Sequence, residues 1–232
     1  MTDTTVYSCV TGKYDKVRST LLASPLVPEE DVRYVLFTDA VQSLERFQSR
    51  HTTVSWELHP LRWRHPLCSR RTARWHKLHS HLVTDTTYSV WVDGSQKIKA
   101  RPLGADLVQP LMHQEVLAAF KHPDRTCVYQ ELQACRRLRK DNPQLMQRQI
   151  NRYQLEGYSP FHGLAETACV IRERQEEVIA FNELWWEQLE KYSLRDQLSF
   201  NYTAWRLGLR YGYVPGHRSA SPFFDFVPHG HG

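Results

Sequence analysis

Hydrophobic and polar positions along the chain fall into two alternating patterns. Short runs rich in β-branched and aromatic residues read as buried strands: 5–12 (TVYSCVTG), 33–40 (RYVLFTDA), 52–59 (TTVSWELH), 86–95 (TTYSVWVDGS) and 168–173 (ACVIRE). Between them lie segments with helical spacing. One runs from about Ser69 to Val83, with Trp75, Leu78 and Leu82 as its core stripe. A second, in 126–140, places Val128, Leu132 and Cys135 at i, i+4 and i+7. A third is capped by Asp141 or Asn142, carries Pro143 in its first turn and stops at Gly157. Residues 176–192 and 195–208 read as two more helices, 104–120 as helical in part, and the aromatic tail from Ser221 onward as irregular. Strands alternating with helices predict an α/β sandwich with a mostly parallel central sheet flanked by helices.

The chain has 232 residues, 41% of them hydrophobic, enough for one sizeable core, and no long linker interrupts it. A single domain over 1–232 is therefore expected. No apolar stretch is long enough to span a bilayer, and the N-terminus lacks the basic and apolar regions of a signal peptide. Five cysteines without paired spacing predict reduced thiols and a cytoplasmic protein. The net charge of +5 suits an anionic ligand such as a nucleotide diphosphate as well as it suits nucleic acid.

In parallel α/β sheets, ligands bind at the carboxyl ends of the strands. The predicted strands deliver Thr11, Gly12, Asp39, Asp93 and Ser95 to that rim. A carboxylate leaving a buried strand is costly unless paired or hydrogen-bonded. Asp93 before Gly94 is either a turn cap or, with Ser95, part of a Mg²⁺–diphosphate site. Upstream, Arg70, Arg74, Lys77 and His81 share one helical stripe, read either as a solvated face or as a phosphate cradle. His76, His79 and His81 lack the spacing of a zinc site. His122 and Arg125 sit in a loop, where they can bind substrate. Arg195, Asp196 and Gln197 open a helix, where Asp196 is either a cap or a base, and Glu166 precedes an apolar strand. No GxSxG, Walker or GxGxxG motif is present.

The blocks YSCVTGKYD, RYVLFTD, RRTARWHKLHSH, VWVDGS, FKHPDRTCVYQE, GLAET and RDQLSFNY, in this order, make the chain resemble a glycosyltransferase-like domain family. That family is known chiefly from plant mucilage-related proteins and also occurs in bacteria and phages. The resemblance implies a GT-A-like, Rossmann-like fold and transfer of a hexosyl or pentosyl group from a nucleotide-diphosphate donor, such as a UDP-sugar, to a hydroxyl. The acceptor would be a glycan or a hydroxylated DNA base. It implies that Thr11, Gly12, Asp39, Arg70, Arg74, Lys77, Asp93 and Ser95 hold the donor. His122, Arg125, Arg195 and Gln197 would hold sugar or acceptor. Asp196, and after it Glu166, would supply the base. A divalent metal, Mn²⁺ or Mg²⁺, would bind Asp93 and His217, although this chain has Asp-Gly-Ser where the usual motif is Asp-x-Asp. The alternative is a non-catalytic nucleotide or nucleic-acid binding module that uses the same basic stripe.

Overall fold

The computed structural model describes residues 3–12, 20–48 and 55–228, with side chains at all of these but 46–48. Strand β1 (Thr4–Val10) lies in the middle of a parallel group, between β2 (Val32–Thr38) and β4 (Tyr88–Val92), with β3 (Glu57–Pro60) outside β2. β7 (Ala165–Glu173) pairs antiparallel with β4. β6 (Leu117–Lys121) pairs antiparallel with β7, and β8 (Gly212–Val214) closes the edge parallel to β6. The order is therefore β3-β2-β1-β4-β7-β6-β8, with β7 alone running against the rest. A small second sheet joins β5 (Gln96–Ile98) to β9 (Phe224–Phe226). This is an α/β architecture with a mostly parallel sheet, as the alternation of strands and helices predicts, and it agrees with the GT-A-like, Rossmann-like fold that the resemblance implies.

The inner strands β1, β4, β6 and β7 are buried on both faces, which explains their near-continuous apolar runs. One face packs Val6, Leu36, Val90, Phe120 and Phe224. The other packs Tyr7, Phe37 and Trp91 under Trp185 and Phe200. Helix α1 (Val41–Gln48) follows β2 and helix α2 (Ser69–Leu78) precedes β4. A short α3 (Ser80–Val83) and α4 (Gln109–Met112) are followed by α5 (Val128–Arg137), α6 (Pro143–Leu155), α7 (Glu176–Lys191) and α8 (Phe200–Leu207). α5, α6 and α8 share a satellite core in which Val128, Leu132 and Cys135 are buried at the expected spacing. Asn142, not Asp141, caps α6: its Oδ1 accepts from the N–H groups of Gln144 and Leu145. Gly157 ends that region with φ +80°.

Four sequence expectations change. The helix expected over 69–83 breaks at His79, whose ring N–H donates back to the Trp75 carbonyl while its ring stacks on Trp75. The break takes Leu82 out of the core stripe, leaving it 56% exposed, and turns His81 toward Glu183 instead of the Arg70 row. Residues 117–120, the end of the segment expected to be helical in part, form an inner strand together with Lys121, because so short an apolar run has no period long enough to distinguish the two. The irregular tail supplies β9. The third strand covers only 57–60; of the expected 52–59, residues 52–54 lie outside the described residues.

Candidate functional site

The carboxyl ends of β1, β2 and β4 and the amino end of the reversed β7 meet at one rim. β1 leads into Thr11 and Gly12, β2 into Asp39, β4 into Asp93, and β7 opens with Glu166 and Thr167. Gly12 sits at φ +76°, and a Cβ there would stand 3.0 Å from Ser69 Oγ. The turn therefore needs glycine to bring its N–H onto Asp39 Oδ2, at 2.9 Å. Thr11 Oγ1 donates to the same oxygen at 3.0 Å, and Arg64 lies 3.3 Å from it. A cavity of about 180 Å³ opens between Thr11, Ser69, Arg70, Arg74, Asp93 and Ser95. It joins the end of β1, the first turns of α2 and the Asp93-Gly94-Ser95 turn.

Helix α2 starts at Cys68, whose Sγ accepts from the Arg71 N–H, and aims Arg70, Arg74 and Lys77 at this rim. Lys77 is completely buried. Its Nζ lies 2.6 Å from Asp196 Oδ2 and 3.2 Å from Asp93 Oδ1, and it donates to the Thr167 carbonyl at 2.5 Å. Arg74 spans the same two acids, 3.8 Å from Asp93 Oδ1 and 3.4 Å from Asp196 Oδ1. Trp91 Nε1–H adds a 2.6 Å bond to Asp93 Oδ1. The carbonyl of Lys77, at the end of α2, accepts from buried Arg172 and from the Tyr7 hydroxyl, which fixes where the lysine emerges.

The two acids divide into different roles. The Asp93 side chain keeps 27% of its surface exposed and faces the cavity. Asp196 keeps 3% and accepts from Thr167 Oγ1 at 2.9 Å. Burial opposes ionisation of Asp196, but Arg74, Lys77 and Arg195 outweigh it and hold the carboxyl far below the usual carboxylate range. Arg195 also reaches buried Glu131, at 3.5 Å, and Arg125 Nε meets Glu131 at 2.6 Å. His122 is buried beside them, its Nδ1 accepting from the Asp124 and Arg125 N–H groups. Burial, reinforced by Arg125, lowers its pKa and favours the neutral ring. Gln197 Oε1 accepts weakly from Arg195, at 3.4 Å. His122 and Arg125, read from sequence as loop residues that can bind substrate, are thus folded inward on Glu131.

Glu166 is the least satisfied acid at the rim. It is 6% exposed, its Oε2 has no hydrogen-bond partner, and Oε1 sits 3.2 Å from Arg218 Nε. Burial raises its pKa; Arg218 opposes the shift and Asp93 adds to it. Arg218 stacks on Phe226, 4.5 Å from the ring centre, in the connection between β8 and β9. That connection turns at Gly216, φ +82°, where a Cβ would fall 2.3 Å from the Ala220 carbonyl oxygen. The N–H of Val227, just past β9, donates to the Ser95 carbonyl, so the C-terminal strand braces the Asp93 turn.

The structure therefore brings Thr11, Arg70, Arg74, Asp93 and Ser95 around one opening, with Lys77 and Asp196 buried behind Asp93, while Gly12 pairs with Asp39, which lines a neighbouring groove beside Arg64. His217 stands in the segment beside Arg218 and near Glu166, with Nδ1 taken by the Ser219 N–H. His76 has both ring nitrogens in use, toward Arg62 N–H and the Thr72 carbonyl, and is no metal ligand. Among the described residues, no cluster of three or more His, Cys, Asp or Glu side chains could hold a metal ion. Sequence reasoning missed Trp91, Thr167, Glu131 and Arg218. Thr167, Glu131 and Arg218 act through partners far along the chain, whereas Trp91 reaches Asp93 from two residues away on the same strand end.

A family model described as TOD1/MUCI70, glycosyltransferase-like domain, matches residues 1–214. A search of curated proteins finds no match. The chain belongs to the TOD1/MUCI70 glycosyltransferase-like domain family.

Proposed function

We propose that the protein transfers a sugar from a nucleotide-diphosphate donor to a hydroxyl acceptor, and that the cavity between α2 and the Asp93 turn holds the diphosphate. The observation that carries this reading is the convergence of Arg70, Arg74 and Lys77 with Asp93 at the strand-end rim. In the transfer, the bond from the anomeric carbon to the diphosphate oxygen breaks as a bond to the acceptor oxygen forms. Negative charge grows on the leaving diphosphate, and fixed cations in a water-poor site stabilise it. Arg70 and Arg74 line the cavity, and Arg74 and Lys77 are held in place by the Asp93–Asp196 pair. Thr11, the Gly12 turn and Asp39 extend the rim toward the nucleoside. Family membership supports a nucleotide sugar with a glycan acceptor, and nothing in it supports a DNA base.

Asp93 is the one acid among the described residues that line the cavity, and only its Oδ2 is left for a divalent ion. Mg²⁺ accepts one or two carboxylates plus water and phosphate, but Asp93 Oδ1 is already taken by Trp91 and Lys77. Asp196 is turned away onto Lys77 and Arg74. In our reading the ammonium of Lys77 and the guanidinium of Arg74 supply the positive charge at this turn.

For the base, we favour Glu166. A general base works best with a pKa near the operating pH. Burial raises that of Glu166, whereas Asp196 is held ionised and committed to two cations. Asp196 then acts as a positioning residue for Lys77 and Arg74. Arg195, Arg125, His122 and Gln197 form the supporting wall toward the acceptor side.

The test is calorimetric binding of UDP, GDP, ADP and CMP, in EDTA and again with Mn²⁺, followed by turnover with the matching sugar nucleotides. The expected result is binding of at least one nucleotide diphosphate that survives EDTA and is lost in Asp93→Ala. A non-catalytic nucleic-acid module would instead show salt-sensitive DNA binding indifferent to Asp93. That outcome, or nucleotide binding unaffected by Asp93→Ala, refutes the proposal.

A further inference from the structure

We propose that a groove along the edge strand β8 is the acceptor subsite, and that it takes an uncharged oligosaccharide segment. The proposal rests on the reading of the chain as a sugar transferase and names the acceptor class for it. The groove has a volume of about 650 Å³ and is walled by Phe161, His162, Trp205, Tyr211 and Tyr213, with Lys121 at one end. That volume is in the usual range of small-ligand sites, about 300–1,000 Å³.

The exposure of its rings is unusual. Phe161 is 90% exposed and Tyr213 43%, and clustered exposed rings mark binding surfaces where single ones do not. Most of the other walls are already fixed. Tyr211 Oη accepts from Asn201 Nδ2 at 2.5 Å, and Tyr213 meets Tyr211 edge-on with ring centres 5.5 Å apart. Lys121 Nζ lies 5.8 Å from the centre of the Tyr213 ring, and the His162 ring stacks on Tyr158 at 4.8 Å. A sugar ring presents an apolar C–H face to an aromatic ring and hydroxyls around its rim. The groove offers rings for the first, and tyrosine hydroxyls and an ammonium for the second.

The balance of charge selects an uncharged ligand. Among the described residues that line the groove, Lys121 and Arg210 are set against Glu115, 3.9 Å from Arg210, so the wall carries a small net charge. A second groove, between α6 and Tyr192, is different: Arg136, Arg148 and Arg152 line it, and it suits a polyanion. The aromatic groove also adjoins the reaction rim. Lys121 and Thr126 line it, while His122 and Arg125, between them in the chain, fold inward onto the Glu131 network. Lys121 pairs in register with Ala165, the neighbour of Glu166.

The experiment is saturation-transfer NMR on the full chain with cellotetraose, maltotetraose, xylotetraose and β-1,4-galactotetraose, with (dT)12 as the polyanion arm. UDP binding is measured in parallel. At least one tetrasaccharide is expected to bind. Phe161→Ala and Tyr213→Ala, both at solvent-facing rings, should each weaken it by roughly tenfold, the loss of one stacking contact, while leaving nucleotide affinity within about twofold. The proposal is overturned if no tetrasaccharide in the panel binds, if binding survives both substitutions, or if Phe161→Ala weakens only (dT)12. A wild-type chain that binds a tetrasaccharide at Phe161 but no nucleotide diphosphate would instead refute the donor reading and leave this one standing.

Discussion

Replacing Lys77 by methionine removes the closer of the two cations that bridge Asp93 and Asp196 and keeps nearly the same shape. Lys77 is fully buried, and its Nζ sits 2.6 Å from one acid and 3.2 Å from the other. Removing one partner of a buried ion pair costs about 3–5 kcal/mol, because a charge is left uncompensated. Here Arg74 still touches both acids, at 3.4 Å and 3.8 Å, so the lower figure applies. At about 2–4 °C per kcal/mol for a chain of this size, the melting temperature should fall by roughly 6–12 °C. The double variant Lys77→Met/Asp196→Asn removes the stranded charge as well. It should cost less than the sum of the two single changes, by about 1–3 kcal/mol. Urea denaturation of the wild type, both singles and the double measures this cycle. A Lys77→Met variant within about 1 kcal/mol of wild type, or strict additivity, would refute the argument that this lysine is the charge anchor of the site.

Other consequences follow from the same geometry. Because its ion pairs hold Asp196 below its unfolded value of about 3.9, its stabilisation is complete above that pH and is lost as pH falls further. Asp196→Asn should flatten the acid limb of the stability profile, and thermal melts from pH 6 down to pH 2.5 would register it. Glu166→Gln should abolish turnover while leaving nucleotide affinity unchanged, since the carboxylate faces Arg218 and does not line the diphosphate cavity. Removing the opposing cation by Arg218→Ala should move the acidic limb of the pH–rate profile to higher pH, as the Glu166 pKa rises further; an unmoved limb would exclude Glu166 as the titrating base. Gly216→Ala forces a Cβ against the Ala220 carbonyl at positive φ. It should cost about 1–3 kcal/mol and lower turnover by displacing Arg218, both measurable by melting and by assay.

Much of the fold is written in local pattern. The runs at 5–12, 33–40 and 86–95 carry enough β-branched and aromatic residues to announce buried strands, and each ends in the turn chemistry that places Gly12, Asp39 and Asp93 at one rim. The Arg70–Arg74–Lys77 stripe follows from helical spacing alone, and its proximity to Asp93 follows from the strand that comes next. The helix over 69–83 fails at its end because one side chain, His79, bonds back to the chain and stacks on Trp75, and local periodicity does not register that contact. Residues 117–121 and 224–226 become strands because partners distant in sequence accept their backbone hydrogen bonds.

What the sequence determines by itself is therefore the alternation of elements, the polar residues at the strand ends, and membership of a family with the sugar-transfer chemistry that implies. What only the tertiary structure decides is which charges meet. β7 runs against its neighbours, so its first residues, Glu166 and Thr167, arrive at the rim where the parallel strands finish. Asp196, read from sequence as a cap or a base, is drawn into a buried lattice with Lys77 and Arg74, while Glu166 keeps an unpaired oxygen. The reason is physical: a carboxyl's proton affinity is set by burial and by charges a few ångströms away, and those neighbours come from strands and helices far apart along the chain.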